Sequence, residues 1–544
     1  MTWTQVYDPM GNMALSALVA AIPMIVIFFL LAVKRSPGHI AGLAAVGSAI
    51  LVAIFAYKMP VDLALNATAF GAAYGVFPIA WIVITAIFLY NMTVETGQFE
   101  IIKNSVASIT DDRRLQALLI AFAFGAFLEG AAGFGTPVAI SAGMLMGLGF
   151  NPLYAAGLCL IANTAPVAFG AIGIPIIVAG QVTGLDTMKI SAMVGRQLPF
   201  LSIIIPLWLV VMMAGWKSAM EVLPACLVAG VSFASLQFFS SNYLGPELPD
   251  IVSSLAAIVS LVIFLNIWKP ATIWRFPGEA AATTAANMPK YTTGQIIKAW
   301  SPFLIMTGMV IIWGLPVAKK AMDVLVPWKF YWPGLNKMVI QVAPIAKKAT
   351  PMVALFKVNA LSAAGTALFL SCIITAFVLD VKGSVFFKCL GDTAAQLKKP
   401  FITIPAVLGL AFLMNFSGAS STLGLFLAGT GFMFPFFSAF LGWLGVFLTG
   451  SDTSANALFG NLQMVTAQQI GMDPVLAVAA NSSGGVTGKM ISPQSIAVAT
   501  ASTGLVGQEG DLFRFTVLHS LVLGTIVGLM TMAQAYWLTW MIPH

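Results

Sequence analysis

The chain is organised as long uncharged apolar runs separated by short polar turns. Segments 14–33, 251–267 and 361–379 contain no Asp, Glu, Lys or Arg. A helix needs roughly 20 consecutive apolar residues to cross the hydrocarbon core of a bilayer. The runs are continuous, whereas barrel strands alternate over segments of about ten residues. The pattern therefore predicts membrane-spanning helices at 14–33, 39–57, 70–90, 197–214, 222–239, 251–267, 299–315, 361–379 and 514–540.

Two regions, 115–181 and 401–505, break this pattern. In the first, the run 115–128 meets Glu129-Gly-Ala-Ala-Gly-Phe-Gly-Thr-Pro137; a second run ends at Phe150-Asn-Pro152, and a third breaks at Asn163-Thr-Ala-Pro166. In the second, 401–414 meets Asn415-Phe-Ser-Gly-Ala-Ser-Ser-Thr422; a run ends near Phe434-Pro435, and the next breaks at Gly450-Ser-Asp-Thr-Ser-Ala-Asn456. Neither opening run is long enough to cross alone, so each region is expected to be a re-entrant hairpin followed by a broken helix. Paired, Gly/Pro-interrupted segments in two halves point to a transporter binding site. Inverted repeats would explain the pairing. The fold expected is thus an all-α polytopic membrane protein, one integral domain of about 12–14 membrane segments.

Lys34 and Arg35 follow the first span and no cation precedes it, which places the N-terminus outside. Span parity then puts Lys103, Arg113 and Arg114 inside, Glu247 and Asp250 outside, and Lys269, Arg275 and Lys290 inside. Segment 316–358, an amphipathic or loop region, should lie outside. It nevertheless carries Lys319, Lys320, Lys329, Lys337, Lys347 and Lys348, and Lys382, Lys388, Lys398 and Lys399 put the entry to the second interrupted region inside. The C-terminal topology and the inversion therefore stay open at this level.

Composition agrees with lipid as the solvent. The chain is 59% hydrophobic and 8% charged, against about 25% charged in soluble domains. The net charge of +7 comes mainly from loops between spans, so a nucleic-acid partner is not indicated. Cys159, Cys226 and Cys372 sit in apolar runs with no CxxC pair, which suggests buried thiols and neither a metal site nor a redox centre. Residues 1–13 hold Asp8 and no Lys or Arg, and 14–33 is long enough to remain as a span rather than a cleaved signal. No cofactor is expected.

Irregular backbone at membrane depth is tolerated only where it is buried in protein or lines a wet cavity. The free N–H groups at a broken helix's positive end suit a carboxylate. Glycines at 130, 133, 135, 484 and 488 are expected to let backbone approach the ligand. The segment Asn481-Ser-Ser-Gly-Gly-Val-Thr-Gly-Lys489-Met-Ile-Ser-Pro-Gln494 is the most distinctive. Its Gly-Lys pair fails as a P-loop, which needs Gly where Ser483 stands and Ser or Thr where Met490 stands. Lys489 is instead expected to be a substrate counter-ion; the bland readings are a structural pair with Asp452, its natural partner, or a side chain snorkelling to the interface. Asp452 is either that partner or a helix cap. Glu129 is a candidate proton carrier, with Asp452 as a second, because desolvation suits a carboxyl to proton exchange; the bland reading of Glu129 is a structural carboxylate. Asn163, Thr164, Ser417, Ser451, Thr453 and Ser492 are candidate partners for a substrate hydroxyl, and Gly485 and Gln494 belong to the same binding segment. His519, Arg514 and Arg196 read as interfacial residues, and Trp537 and Trp540 as an aromatic belt.

At these segments the chain resembles the bacterial L-lactate permease family, which also contains glycolate permeases. The resemblance runs from Tyr7-Asp-Pro-Met-Gly-Asn12 to Leu538-Thr-Trp-Met-Ile-Pro-His544. It is most specific at FLEGAAGFGTPVAI (127–140), LYAAGLCLIANTAPVAFGAIGIPI (153–176), SNYLGPELPDIVSSL (241–255), GWLGVFLTGSDTSANALFG (442–460) and GGVTGKMISPQSIA (484–497), and weakest over 316–358. It implies a multi-pass protein of the bacterial inner membrane that takes up L-lactate, with D-lactate and glycolate as further substrates, by proton symport. The residues themselves point only to a small anionic ligand and a carboxyl suited to proton exchange. The binding residues named above rest on that physical argument. Sodium-coupled carriage of di- or tricarboxylates, a glycolate-preferring permease, a membrane-embedded enzyme and a channel are the other readings; homo-oligomerisation is left open.

Overall fold

The computed structural model describes residues 2–34, 36–133, 135–276, 289–326 and 328–543; Arg35, used above as a topological marker, lies outside them. Among these residues, 11 helices are long and apolar enough to cross a membrane, or 12 when a bent pair is counted as one span, and three shorter apolar helices accompany them. The predicted spans fall on Met13–Leu31, Gly38–Ala56, Val61–Glu95, Thr187–Glu221, Leu223–Tyr243, Pro249–Ile267, Thr293–Trp313 and Glu509–Tyr536. The run 361–379 forms a shorter helix, Ala364–Val378. All four cysteines are buried and unpaired by disulfides.

Strands are confined to short pieces. Trp3–Thr4 pairs in parallel with Val339–Gln341, which pairs with Thr350–Pro351. Lys329–Tyr331 pairs with Leu355–Lys357. Aromatic contacts hold this segment on the Val61–Glu95 helix: Tyr74 lies 4.8 Å from Phe356 and Phe70 lies 5.5 Å from Trp332. Because the N-terminal strand pairs directly with 339–341, segment 316–358 shares the N-terminal face despite its lysines. Span parity, not cation count, describes this region.

The first interrupted region opens with α1 (Arg113–Ala131), which is wholly buried in protein and long enough to cross. The apolar pattern bounds this run at 115–128, whereas the helix starts two residues earlier, at Arg113, and continues to Ala131. Arg114 is fully buried and satisfied by Asp112 at 2.7 Å and Glu221 at 2.9 Å. The chain returns as α2 (Thr136–Gly147), and the Arg113 guanidinium lies 5.6 Å from the Phe150 ring. The two arms thus close as a hairpin, with its tip between Ala131 and Thr136. Next, α3 (Pro152–Ala162) and α4 (Gly170–Thr183) follow, separated by a break with a bend of 64°. The span Pro249–Ile267 is α5.

The second region opens with Pro400–Ser417, also long enough to cross, which turns at Gly418 into Ala419–Ala428. It then departs from the expected broken helix. Helices α6 (Phe434–Thr449) and α7 (Asp452–Ile470) fold back on one another at Gly450-Ser451, since a Cβ at Gly445 would meet both Ala455 and Phe459. The distinctive segment is helical almost throughout, as α8 (Pro474–Lys489), and breaks only before α9 (Pro493–Thr503).

Candidate functional site

Four helices begin around one small cavity. Gly135, with φ +86°, turns the chain into α2. Within the first turn of α4, Ala171, Ile172 and Gly173 take consecutive left-handed conformations with φ of 46°, 59° and 70°, and the regular helix follows with Pro175 near its start. Left-handed geometry costs a residue with a Cβ about 1–2 kcal/mol, and packing must offset that cost. Gly450 (φ +71°) precedes α7, whose cap Ser451 accepts a hydrogen bond from the Ser454 N–H at 3.2 Å. Ser492 caps α9 in the same way through the Ser495 N–H at 3.2 Å. Residues from all four starts, namely Gly135, Ala171, Pro175, Ser451, Thr453, Gln494 and Ser495, line a cavity of about 70 Å³. That is well below the roughly 300 Å³ of the smallest drug-sized pockets and suits a ligand of few heavy atoms. Helix N-termini carry partial positive charge, so the enclosure favours an anion.

Lys489 and Glu129 close the same cavity. The Lys489 ammonium lies 2.9 Å from Glu129 Oε1, with the side chains 11% and 4% exposed. Lys489 ends α8, where the helix dipole favours a cation. The Asn163 amide donates to Glu129 Oε2 at 3.1 Å. Gly170 makes room for this carboxylate, which a Cβ there would strike. Lys489 does not snorkel, and its ion pair is with Glu129, not with Asp452 as the sequence suggested.

Asp452 is held differently. Its Oδ2 accepts from Ser482 Oγ at 2.5 Å and from Asn456 Nδ2 at 3.3 Å, while Oδ1 has no hydrogen-bond partner among the described residues. Asn456 also donates to the Pro175 carbonyl at 3.1 Å and accepts from Asn481 Nδ2 at 2.8 Å. Gln463 extends the network by donating to Asn481 Oδ1 at 3.0 Å. These buried bonds tie α4, α7 and α8 together. Asp452 is not the helix cap, a role that Ser451 fills.

Of the sequence candidates, the fold brings Glu129, Gly135, Ser451, Asp452, Thr453, Lys489 and Gln494 to the cavity wall, with Asn163 behind Glu129. The others serve elsewhere. Thr164 is buried without lining the cavity, and Ser492 is a cap whose hydroxyl bonds Ser495 Oγ at 2.8 Å. Ser417 sits at the other hairpin tip, beside Gly418 and Tyr7, bonded to the Met414 carbonyl at 3.3 Å. Gly484 and Gly488 admit the backbone of α6, where a Cβ would meet the carbonyls of Ala439 and Trp443. Gly485 makes room for Asp452 Oδ1, Gly130 packs on Asp250, and Gly133 on Ala171. Trp208 Nε1 donates to His519 Nδ1 at 3.1 Å, and Arg196 binds the Met541 carbonyl at 2.8 Å, so both are structural.

Two features escaped sequence reading. Asn456 and Ser482 orient Asp452; the i,i+4 spacing of Asp452 and Asn456 was the available signal. Asp250, treated as an outer-loop marker, is 1% exposed and lies against Gly130, the neighbour of Glu129. A second cavity of about 740 Å³ shares Ser451, Thr453 and Gln494 with the small one and extends to Ser36, His39 and Lys399. It reaches the face bearing the first inter-span loop, opposite the N-terminal strand, and is separated from the small cavity by the residues that line both.

Comparison with known proteins gives the context for this geometry. The family described as L-lactate permease matches residues 16–538. The chain is 58% identical to the glycolate permease GlcA of Escherichia coli strain K12, with the whole of both chains covered. It is 55% identical to the L-lactate permease of Bacillus subtilis strain 168, again over both entire chains. With the L-lactate permease of Escherichia coli strain K12 it shares 53% identity, covering 99% of this chain and all of the other.

Proposed function

Because the chain belongs to the L-lactate permease family, a family of transporters and not of enzymes, we propose that it carries small 2-hydroxy monocarboxylates with a proton across the bacterial inner membrane. L-lactate is the leading substrate, with D-lactate and glycolate as further ones. The observation that carries this reading is the Lys489–Glu129 pair inside a cavity ringed by four helix starts. An incoming carboxylate and Glu129 compete for one ammonium. When the substrate carboxylate takes Lys489 and the helix N-termini, Glu129 is left without its counter-charge in a nearly dry site. A buried unpaired carboxylate is strongly disfavoured, so Glu129 takes up a proton. Substrate anion and proton then travel together and leave the site's net charge unchanged. Ser451, Thr453 and Gln494 stand on the wall with polar groups for the 2-hydroxyl.

The test is transport by proteoliposomes of Glu129→Gln beside the wild type. Counterflow of labelled L-lactate should persist in the variant, because exchange moves no net proton. Accumulation driven by an inward proton gradient should vanish. Proton-driven accumulation at the wild-type level by Glu129→Gln would reject the coupling role, and wild-type uptake that requires sodium would reject proton symport. Glycolate, pyruvate and succinate as competitors rank the substrates, and stronger competition by glycolate than by L-lactate would favour the glycolate reading.

A further inference from the structure

Asp250 occupies the first turn of α5. It is 1% exposed, and neither carboxyl oxygen has a hydrogen-bond partner among the described residues. Its Cβ stands where a Cβ on Gly130 would collide, so it abuts the backbone adjoining Glu129. The charges that act on it are those of Glu129 and Lys489. Of the other elements packed on α5, neither the Leu223–Tyr243 helix nor α4 contains a charged residue.

Charge balance separates three buried carboxyls. Lys489 and Asn163 stabilise an ionised Glu129, and two donors serve Asp452 Oδ2. Among the described residues Asp250 has no ion pair and no hydrogen-bond donor, and it shares the field of Lys489 with Glu129, which holds that ammonium directly. One ammonium cannot compensate three neighbouring carboxylates away from water, and the group without donors is the one that must hold its proton. Placement adds direction. Glu247, one turn before Asp250 and outside the spans, feels the field of Lys319 from segment 316–358, on the N-terminal face. Burial raises the Glu247 carboxyl above its ordinary range, and Lys319 opposes that. The large cavity extends to the opposite face.

We propose that Asp250 is a proton-carrying site on the N-terminal side of the Lys489–Glu129 pair, set apart from the large cavity. When substrate displaces Glu129 from Lys489, the O–H bond of Asp250 breaks as one forms on Glu129, and a proton arriving from the Glu247 side forms a new O–H bond on Asp250 in the same relay, so that no charge rests on the carboxyl without donors. The inference rests on the symport reading above.

Wild type, Asp250→Asn and Asp250→Glu should be reconstituted and compared in two assays. Asp250→Asn should retain L-lactate counterflow within about twofold of wild type but lose proton-driven accumulation by tenfold or more, and its accumulation should no longer respond to external pH. Asp250→Glu should restore part of both accumulation and pH response. Wild-type accumulation by Asp250→Asn overturns the proposal. So does loss of counterflow in a monodisperse Asp250→Asn protein, which would assign the residue to substrate binding or packing. Absence of proton-driven accumulation in the wild type would sink the symport reading itself and is recognised before any variant is measured.

Discussion

Replacing Lys489 by Met, of similar length and without charge, leaves Glu129 buried at 4% exposure with only the Asn163 amide as a partner. Removing one member of a buried ion pair costs roughly 3–5 kcal/mol, a large share of the 5–15 kcal/mol that is typical of folded proteins. The double variant Glu129→Gln/Lys489→Met removes both charges and should recover most of that loss, because no uncompensated charge remains. Apparent melting temperature in detergent reads this comparison directly: Lys489→Met falls well below wild type and the double variant returns toward it. Binding gives a second number. A hydrogen bond to a charged group is worth about 1.5–3 kcal/mol, so half-saturation of L-lactate exchange should rise about 10- to 150-fold in Lys489→Met. In Glu129→Gln, which removes the competitor for the ammonium, half-saturation should be unchanged or lower at neutral pH. Equal melting temperatures for Lys489→Met, the double variant and wild type would refute the buried pair. A wild-type half-saturation in Lys489→Met would refute the carboxylate site.

Four other substitutions separate site from scaffold. Gly485→Ala drives a Cβ into Asp452 Oδ1 and should cut exchange about 5- to 150-fold if roughly 1–3 kcal/mol of overpacking falls on the transport-competent state; Gly308→Ala, which meets nothing within 4 Å, should exchange like wild type. Ser417→Ala loses only contacts to its own hairpin tip, so L-lactate exchange should stay within about twofold of wild type; a large loss would return this residue to the binding site. Arg114→Ala leaves Asp112 buried and unpaired, and at about 3–5 kcal/mol it should lower the amount of folded protein in the membrane while the protein that remains keeps its wild-type half-saturation.

The apolar runs by themselves determined the solvent, the helical class and nearly every span, because bilayer thickness imposes a length that any uncharged run reveals. They failed where charge was taken as a boundary: α1 begins at Arg113 because Asp112 and Glu221 neutralise its second arginine, and those partners come from elsewhere in the fold. The breaks at 132–135, 163–169 and 450–451 were legible as glycine, proline and small polar residues. Their outcomes were not. The same composition yields a 64° bend between α3 and α4 and a reversal between α6 and α7. Similarly, Gly484 and Gly488 looked like ligand-facing backbone and proved to be the contact between α6 and α8, since a glycine permits close approach without saying to what.

Only tertiary structure paired the charges. Glu129 and Lys489 are 360 positions apart, and sequence offered Lys489 the nearer Asp452. Asp250 shows the same limit from the other side, as a carboxylate beside a proline at a span's edge reads as a loop marker until packing buries it against Gly130. Membrane insertion is decided by local hydrophobicity summed over a run, which a linear pattern contains. Electrostatic partnership is decided by distance through a low-dielectric interior, and the chain acquires those distances only when it folds.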